Sequence, residues 1–572
     1  MTRVKLHHRR TRHCQFARGM SAIGALAALF CAEQAMADVA WSDDARSRAV
    51  LVKASAQPLF DWTGWYFGGH MGYGRGSGTT TVRDGDSAKS FSASFGGQFG
   101  GVQLGYNYIL PSGFLVGVET DVTFPNYYPS DASLWMTLTP NNQLTENFDY
   151  AATARARVGY VFGPWMLYGT GGFAWSSAHF VRNPLDSNQE WTRPGMRTGW
   201  AAGTGVEYAF AANWTARLEY MYERLGTAAS TFPDGVHAAS SPLEFFELRA
   251  GLNRKFGPGA DGTAAASPAA FPIAESPIEW EIHGQTTYIH QGYPAFRALY
   301  SGEHSLAPFP QARETWTSSA FLTVRLWDGG ELYYNPELLQ GFGLSNTTGL
   351  AGFSNGEAQK SNFLYPHYNT SRLFIRQTFG LGGERETVES DYGQMSGKRD
   401  VSRVTFQVGK FAVHDMFDNN AYAQDSRVDF LNWSLWAAGA FDYAADKVGL
   451  TWGAVAELNQ PLWALRAGYF LIGTEPNSNN FDPRLFKRVM YVTELETRYS
   501  LFSRPGKLRL DGWIYNFYSG SFREAVDMVQ ADPTLDINDA IVDTRKGRMK
   551  YGYIVNLEQS ITDDVGLFSR WS

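Results

Sequence analysis

Charged and aromatic side chains recur at every second position of several segments in the second half of this 572-residue chain, opposite apolar residues. Guanidinium and carboxylate groups form paired hydrogen bonds, and aromatic rings offer flat apolar faces. A wall with both kinds of group suits contact with a neutral, hydroxyl-rich solute. The candidates are Arg325, Trp327, Glu331, Tyr333, Asn335, Glu337, Arg372, Arg376, Arg403 and Glu457. Each can instead be a structural wall residue in a ladder of alternating charges.

Motifs of enzymatic, metal or cofactor chemistry do not accompany these residues. The sequence contains no H-E-x-x-H and no P-loop pattern, and no Ser/His/Asp or paired-carboxylate constellation stands out for a hydrolase. The glycine-rich run 72–78 precedes no helical pattern, so we interpret it as a barrel turn. A histidine and four aspartates cluster between positions 414 and 429; their spacing matches no calcium loop and favours a hydrogen-bonded pore loop. We therefore predict no enzyme, no cofactor and no metal site.

Composition excludes several classes of protein. Aromatic residues make up 15% of the chain and charged residues only 18%, the reverse of the balance in disordered chains. The sequence pI of about 5.9 argues against nucleic-acid binding, which needs a surplus of Lys and Arg. A mean hydropathy of -0.29, without a long apolar run after the N-terminus, excludes a helical membrane protein. A β-rich membrane protein, apolar on one face of each strand, accounts for this mixture.

The first 37 residues have the pattern of a bacterial signal peptide. Basic residues precede a short apolar run at 20–32, and a small-x-small cleavage motif follows at 35–37. An uncleaved anchor helix is the alternative. Cleavage would remove Cys14 and Cys31, the only two cysteines, so the mature chain would hold no disulfide.

Residues 60–256 alternate at period 2 in eight candidate strands, which places successive residues on opposite faces. The strands are near 64–74, 95–109, 113–124, 150–162, 165–179, 197–210, 213–224 and 243–256. Charged residues share one face in four of them, and both signs occur in the set. These predicted interior charges are Glu119, Asp121, Arg155, Arg157, Arg217, Glu219, Glu247 and Arg249. Paired inward charges with an apolar band outside are typical of a transmembrane barrel, whereas a soluble lipocalin-like barrel would have an apolar interior.

The two ends of this region carry a family resemblance. The opening run 60–74 contains a Trp-Thr-Gly-Trp-Tyr-Phe sequence, and the closing run 248–256 ends on Phe256. Both resemble the small eight-stranded OmpA-like surface proteins, whose terminal Phe is recognised by the barrel insertion machinery. Eight strands leave room only for side chains, so we expect this barrel to be plugged.

A Pro/Ala/Gly-rich segment at 257–277 reads as a linker, although an ordered crossover inside one large barrel is the alternative. Beyond it, alternation resumes. Arg372, Phe374 and Arg376 share one face, and Leu373 and Ile375 point oppositely, toward lipid. The predicted strands are 320–328, 331–338, 372–379, 403–410, 450–458, 491–501, 507–514 and 551–558.

From about position 280 the chain resembles the carbohydrate-selective porins of the OprB type. The resemblance rests on Val408-Gly409-Lys410-Phe411, Asp415-Met416-Phe417-Asp418-Asn419-Asn420-Ala421-Tyr422, Asp425-Ser426-Arg427 and Phe430-Leu431-Asn432-Trp433. It implies a 16-stranded barrel that passes sugars through a constriction of charged and aromatic residues. About twelve strands fit in 278–572, so we expect this barrel to be incomplete at its C-terminal end.

These observations predict an all-β protein with two transmembrane antiparallel β-barrels. The expected parts are a signal peptide (1–37), an N-terminal segment (38–59), an eight-stranded barrel (60–256), a linker (257–277) and a porin-like barrel (278–572). We predict passive, sugar-selective diffusion across the outer membrane of a Gram-negative bacterium; a structural or adhesive surface protein without a channel is the alternative. The expected partners are membrane lipid, lipopolysaccharide, sugars and the insertion machinery, without nucleic acid, and the sequence leaves the oligomeric state open.

Overall fold

The structure, a computed structural model, describes residues 59–125, 136–137, 144–182, 190–257, 271–272, 278–301, 305–347, 354–358 and 363–572. The predicted signal peptide, nearly all of the predicted segment 38–59 and most of the predicted linker lie outside these residues. None of the described helices is both long and apolar enough to cross a membrane.

Eight long antiparallel strands form a closed barrel in the first half. They are β1 (Gly64–Asp84), β2 (Ser87–Ile109), β3 (Phe114–Pro125), β4 (Leu144–Phe162), β5 (Trp165–Arg182), β6 (Arg197–Ala211), β7 (Trp214–Thr231) and β8 (His237–Phe256). The ring closes because β8 pairs with β1, from His237 opposite Asp84 to Phe256 opposite Trp65. All eight predicted strands are therefore present, and most are longer than predicted.

The period-2 pattern of these strands separates two chemical faces. Val118, Val158 and Leu167 point outward, with 60%, 58% and 54% of their surface exposed. Two-residue turns join β1 to β2, β4 to β5 and β6 to β7. Gly163, in the turn between β4 and β5, has a φ of 59°, which glycine adopts without steric cost. Met136–Thr137 pairs with β4 and Glu190–Thr192 pairs with β5, and Leu59–Phe60 forms a separate two-stranded sheet with Phe271–Pro272.

The second half forms an 11-stranded antiparallel sheet in which consecutive strands are neighbours. Its strands are β9 (Trp280–Tyr293), β10 (Gln311–Trp327), β11 (Gly330–Gly341), β12 (Phe363–Gly380), β13 (Arg403–Phe411), β14 (Thr451–Asn459), β15 (Trp463–Leu471), β16 (Val489–Leu501), β17 (Arg504–Ser519), β18 (Lys546–Ser560) and β19 (Gly566–Trp571). Within the described residues, β9 and β19 each pair on one side only.

Eight of these 11 strands match the predicted ones, and β9, β15 and β19 are not among those eight. In β9 both faces are rich in polar residues, so alternation gives little contrast. In β15, Arg466 is the only charged residue among apolar and small ones, and the run carries no alternation either. Periodicity alone cannot recognise a strand whose two faces are chemically alike.

The connections of the second half hold the remaining elements. These are 3₁₀ helices at Leu344–Thr347 and Val413–Asp415, a hairpin of Arg385–Val388 with Gly397–Asp400, and helices α1 (Trp433–Trp436), α2 (Phe522–Ala531) and α3 (Ile537–Asp543). Residues 412–450, here the internal segment, fold against the inner face of the sheet. The ring centroids of Phe417 and Phe470 lie 6.0 Å apart.

Candidate functional site

The inner face of β11 and β12 brings together six polar or aromatic side chains at neighbouring positions. The antiparallel register places Glu331 opposite Arg376, Tyr333 opposite Phe374, and Asn335 opposite Arg372. Because side chains alternate along each strand, these three pairs point to the same side. We call this set the inner wall: Glu331, Tyr333, Asn335, Arg372, Phe374 and Arg376.

A stacked aromatic pair forms the centre of the inner wall. The rings of Tyr333 and Phe374 are 4.6 Å apart and inclined by 17°. The Arg376 guanidinium lies 4.7 Å from the Tyr333 ring centroid, within cation–π distance. Arg376 donates to the Tyr333 hydroxyl at 3.1 Å, and that hydroxyl donates to Glu331 at 2.6 Å. This cluster combines a buried aromatic pair, in which Tyr333 is 3% and Phe374 5% exposed, with groups that bind hydroxyls.

Arg372 connects the inner wall to the internal segment. Its Nε and Nη2 donate to the two carboxylate oxygens of Asp415, each at 2.7 Å, and its Nη1 donates to Asn335 at 3.1 Å. A bidentate guanidinium–carboxylate pair fixes both distance and orientation. Arg372 is therefore a structural anchor as well as a wall charge.

Glu337 belongs to a second anchor of the internal segment. Arg427 donates to Glu337 at 3.0 Å and to Glu357 at 2.9 Å, and all three side chains are buried. Ser319 also donates to Glu337, at 2.6 Å. The structure thus gives Glu337 a packing role beneath the surface.

A charge ladder crosses β14 to β18, and Glu457 was predicted as a site residue, whereas Arg466, Glu494, Glu496, Arg509 and Glu558 were not. Arg466 donates to Glu457 at 2.6 Å and contacts Glu494 and Glu496. Arg509 continues the ladder, donating to Glu496 and Glu558 at 3.0 Å each. Alternation placed the β16 and β17 members on the polar face, but Arg466 lies in a strand that the sequence did not predict.

Asp418 joins the far end of the internal segment to the last strands. Its carboxylate accepts from Arg570 Nε at 2.8 Å, from Asn556 at 2.7 Å, and from the Ala438 backbone N–H at 2.8 Å. Its own N–H donates to Glu494 at 2.9 Å. Asp418 has a φ of 55°, which Asp tolerates better than most residues. Four elements converge on this residue.

The structure places Trp327 and Arg403 away from the inner wall and Arg325 at its edge, 3.7 Å from Glu331. Trp327 is 54% exposed at the end of β10, and its indole N–H donates to Gln377, which alternates with the inward Arg376. Arg325 pairs with Glu279 at 2.5 Å at the same rim. Arg403 pairs with Glu386 of the 385–400 hairpin at 2.9 Å. A register shift between Arg325 and Trp327 explains the break in alternation.

The acidic cluster near position 414 does not converge on one point. Asp415 pairs with Arg372, and Asp418 with Arg570. Across the described residues no three His, Cys, Asp or Glu side chains are arranged to hold a metal ion. Burial lowers the pKa of His414, whose ring lies 4.4 Å from that of Tyr443. His414 therefore packs among aromatic rings.

The sequence also contains a Gly-x-Ser-x-Gly match at 352–356. Such a motif needs a strand before the serine and a helix after it. Residues 354–358 form turns and isolated 3₁₀ residues, and the Asn355 side chain donates to Thr315 at 3.3 Å. The described part of this loop therefore lacks the strand-to-helix context of a nucleophile.

The first barrel encloses all eight predicted interior charges. Glu119 accepts from Arg155 at 2.6 Å, from Arg217 at 2.5 Å and from Tyr66 at 2.7 Å. Arg249 donates to Glu247 at 2.6 Å and lies 3.2 Å from Asp121. The network also holds members outside the predicted list, which are Tyr66, Tyr168, Glu207 and Glu223. These side chains fill the barrel as an ionic plug.

Comparison with known proteins gives a match for each half. The carbohydrate-selective porin family, OprB, matches residues 303–572, and the outer membrane protein beta-barrel domain matches residues 48–256. The 31 kDa outer-membrane immunogenic protein of Brucella melitensis biotype 1 is 32% identical over 244 residues, 41% of this chain and 98% of that protein. The 22 kDa outer membrane protein of Rhizobium leguminosarum bv. viciae is 31% identical over 30% of this chain and 67% of that protein. The crystal structure of Neisserial surface protein A is 17% identical, with a TM-score of 0.21, over 34% of this chain and 98% of that one.

Proposed function

Since this chain belongs to the outer-membrane β-barrel family of the 31 kDa immunogenic protein through its first half and matches the OprB porins through its second, we propose that its second half passes sugars by passive, selective diffusion. The matched families are outer-membrane barrels and porins rather than enzymes. The inner wall is the observation that carries this proposal, because it combines stacked rings with hydroxyl-binding charges.

The chemistry of the wall fits a neutral polyol better than an ion. A sugar presents C–H faces to an aromatic ring and hydroxyls to charged neighbours. Arg376 and Glu331, both bonded to the Tyr333 hydroxyl, offer donors and acceptors at one edge of the ring pair. Diffusion requires contacts that are weak enough to release the solute, which suits partly exposed charges.

Sugar block of the ion current tests this function. We expect Arg376→Ala to weaken block by a neutral disaccharide in planar bilayers, because it removes the guanidinium beside Tyr333. Arg523→Ala is the matched control, since Arg523 is exposed on α2, away from the inner wall. Equal block in both variants would overturn the assignment of the sugar site, and absence of any current would favour a non-conducting surface protein.

For the first barrel we propose a structural or surface role. The buried ionic plug fills its interior, and eight strands leave room only for side chains. Lipid and lipopolysaccharide would contact its apolar outer band, and the barrel insertion machinery would recognise the strand that ends at Phe256. We also propose that residues 60–256 and 278–572 are separate domains joined by a linker at 257–277.

A further inference from the structure

We propose that the first barrel docks sideways on the outer face of β11 and β12 of the same chain, through Tyr334 and Tyr368. We call these two residues the tyrosine pair, and we call Met71 on β1 with Gly100 on β2 the notch that receives them. The inference concerns an interaction surface between the halves and does not depend on sugar transport.

Burial of Tyr368 shows that its position is covered. It lies on the outer face of β12 and is only 3% exposed, whereas Leu373 and Ile375 farther along the same face are 37% and 42% exposed. A side chain on Gly100 would collide with it, because a Cβ there would lie 2.0 Å from Tyr368 Cδ2. Only glycine leaves room for the ring at this point of the barrel wall.

The polar atoms of the tyrosine pair are satisfied at the contact. The two hydroxyls lie 2.7 Å apart, and that of Tyr368 is also 2.7 Å from Thr370 Oγ1. The Tyr334 hydroxyl contacts the Met71 sulfur. Unpaired hydroxyls are costly on a lipid-facing surface, since no water is present to bond them. Docking therefore removes both hydroxyls from lipid.

Two further contacts extend this interface. Arg193 donates to the Tyr365 hydroxyl at 3.0 Å and its guanidinium lies 5.3 Å from that ring, while Tyr150 lies 5.5 Å from it. At the start of β9, the Trp280 ring lies 5.4 Å from Phe210. In lipid, close packing and polar contacts hold such surfaces together, because burial of apolar area gives no advantage there.

Docking would support the inner wall from the outer face of the same strands. Tyr333 faces inward and Tyr334 outward on the same strand, so the barrel contacts the reverse side of the aromatic cluster. This consequence, unlike the docking itself, rests on the proposed function.

Cross-linking in the full chain tests the docking. Residues 38–572 contain no cysteine, so Met71→Cys with Thr370→Cys introduces a single pair while both tyrosines remain. A short bis-maleimide is applied to outer-membrane vesicles, and a protease site inserted at 257–277 is then cleaved. We expect the halves to stay joined, and the control pair Gly169→Cys with Thr370→Cys to separate, because Gly169 is exposed on β5. Separation in both pairs, or links between two chains instead of within one, would overturn the proposal.

The notch itself is tested by filling it. We expect Gly100→Leu to reduce the cross-link to the control level, and Gly169→Leu to leave it unchanged, since a Cβ at Gly169 meets only the Gly203 carbonyl at 3.9 Å. The Gly100→Leu protein could fail to insert into the membrane. In that case Tyr368→Ala, which changes only β12 in the second half, should cause the same loss of cross-linking. A cross-link of normal yield in Tyr368→Ala would show that the tyrosine pair does not hold the halves together.

Discussion

Arg570 Nε donates to Asp418 Oδ1 at 2.8 Å although the two residues are 152 positions apart. Arg570 lies on β19, the last strand, and Asp418 lies on the internal segment. This buried pair therefore connects the end of the sheet to the internal segment. It is also the point at which Asn556 and the Ala438 backbone N–H meet the same carboxylate.

We expect Asp418→Asn to destabilise the packing of the internal segment by about 3–5 kcal/mol, the usual cost of leaving a buried charge without its partner. Limited proteolysis of the membrane-embedded protein would report the loosening as faster cleavage within 412–450. Asp563→Asn is the control, because the Asp563 side chain is 85% exposed and its pair with Arg504 lies at the surface. Equal protease resistance of the two variants would show that Asp418 does not hold the internal segment in place.

Leu373→Arg is expected to impair assembly by roughly 2–4 kcal/mol if the residue lies near the bilayer midplane. Leu373 points away from the inner wall, between Arg372 and Phe374, and so would place a charge in lipid. Heat-modifiable migration in gels measures assembly. Leu381→Arg, in the connection just after β12, should migrate normally. Normal assembly of Leu373→Arg would show that the predicted register is wrong.

Replacing both Arg372 and Arg376 by Ala should raise cation conductance. The change removes two positive charges from the inner wall and leaves Glu331 and Asp415 without them, so cations are repelled less. Reversal potentials in a salt gradient would measure the shift toward cation selectivity. Unchanged selectivity would place the ion path elsewhere in the sheet.

Glu119→Gln should destabilise the first barrel by about 3–5 kcal/mol, because two fully buried guanidiniums, Arg155 and Arg217, would lose a charged partner. Denaturant unfolding in micelles would measure it. Glu244→Gln is the control, because this exposed carboxylate accepts a hydrogen bond from the Tyr222 hydroxyl at the surface. It should change the free energy of unfolding by no more than about 0.5 kcal/mol.

Residues 38–256 should fold alone in micelles, because β8 closes on β1 without help from the second half. Circular dichroism and heat-modifiable migration would report the fold. A fragment that stays unfolded while the full chain folds would favour a single cooperative unit and contradict the proposed domain boundary.

The fold class, the outer-membrane location and the face of most strands follow from the sequence alone, and the comparisons and the strand pattern confirm the β-barrel fold and that location. Strand faces are predictable because alternation is a local property of the backbone: Tyr333 and Arg376 must point opposite to Tyr334 and Ile375 once the strands form. The sequence does not determine which charged side chains form ion pairs with one another.

The ion-pair partners follow from the tertiary structure, because strand register and the path of the internal segment bring distant residues together. Arg372 was predicted as a lumen-facing sugar-site candidate, yet its Nε and Nη2 both donate to Asp415. Arg466 lies in a strand without alternation, so periodicity could not place it beside Glu457 and Glu494. Trp327 does not lie on the predicted face, because the register shift between Arg325 and Trp327 reverses the direction of the side chains that follow it.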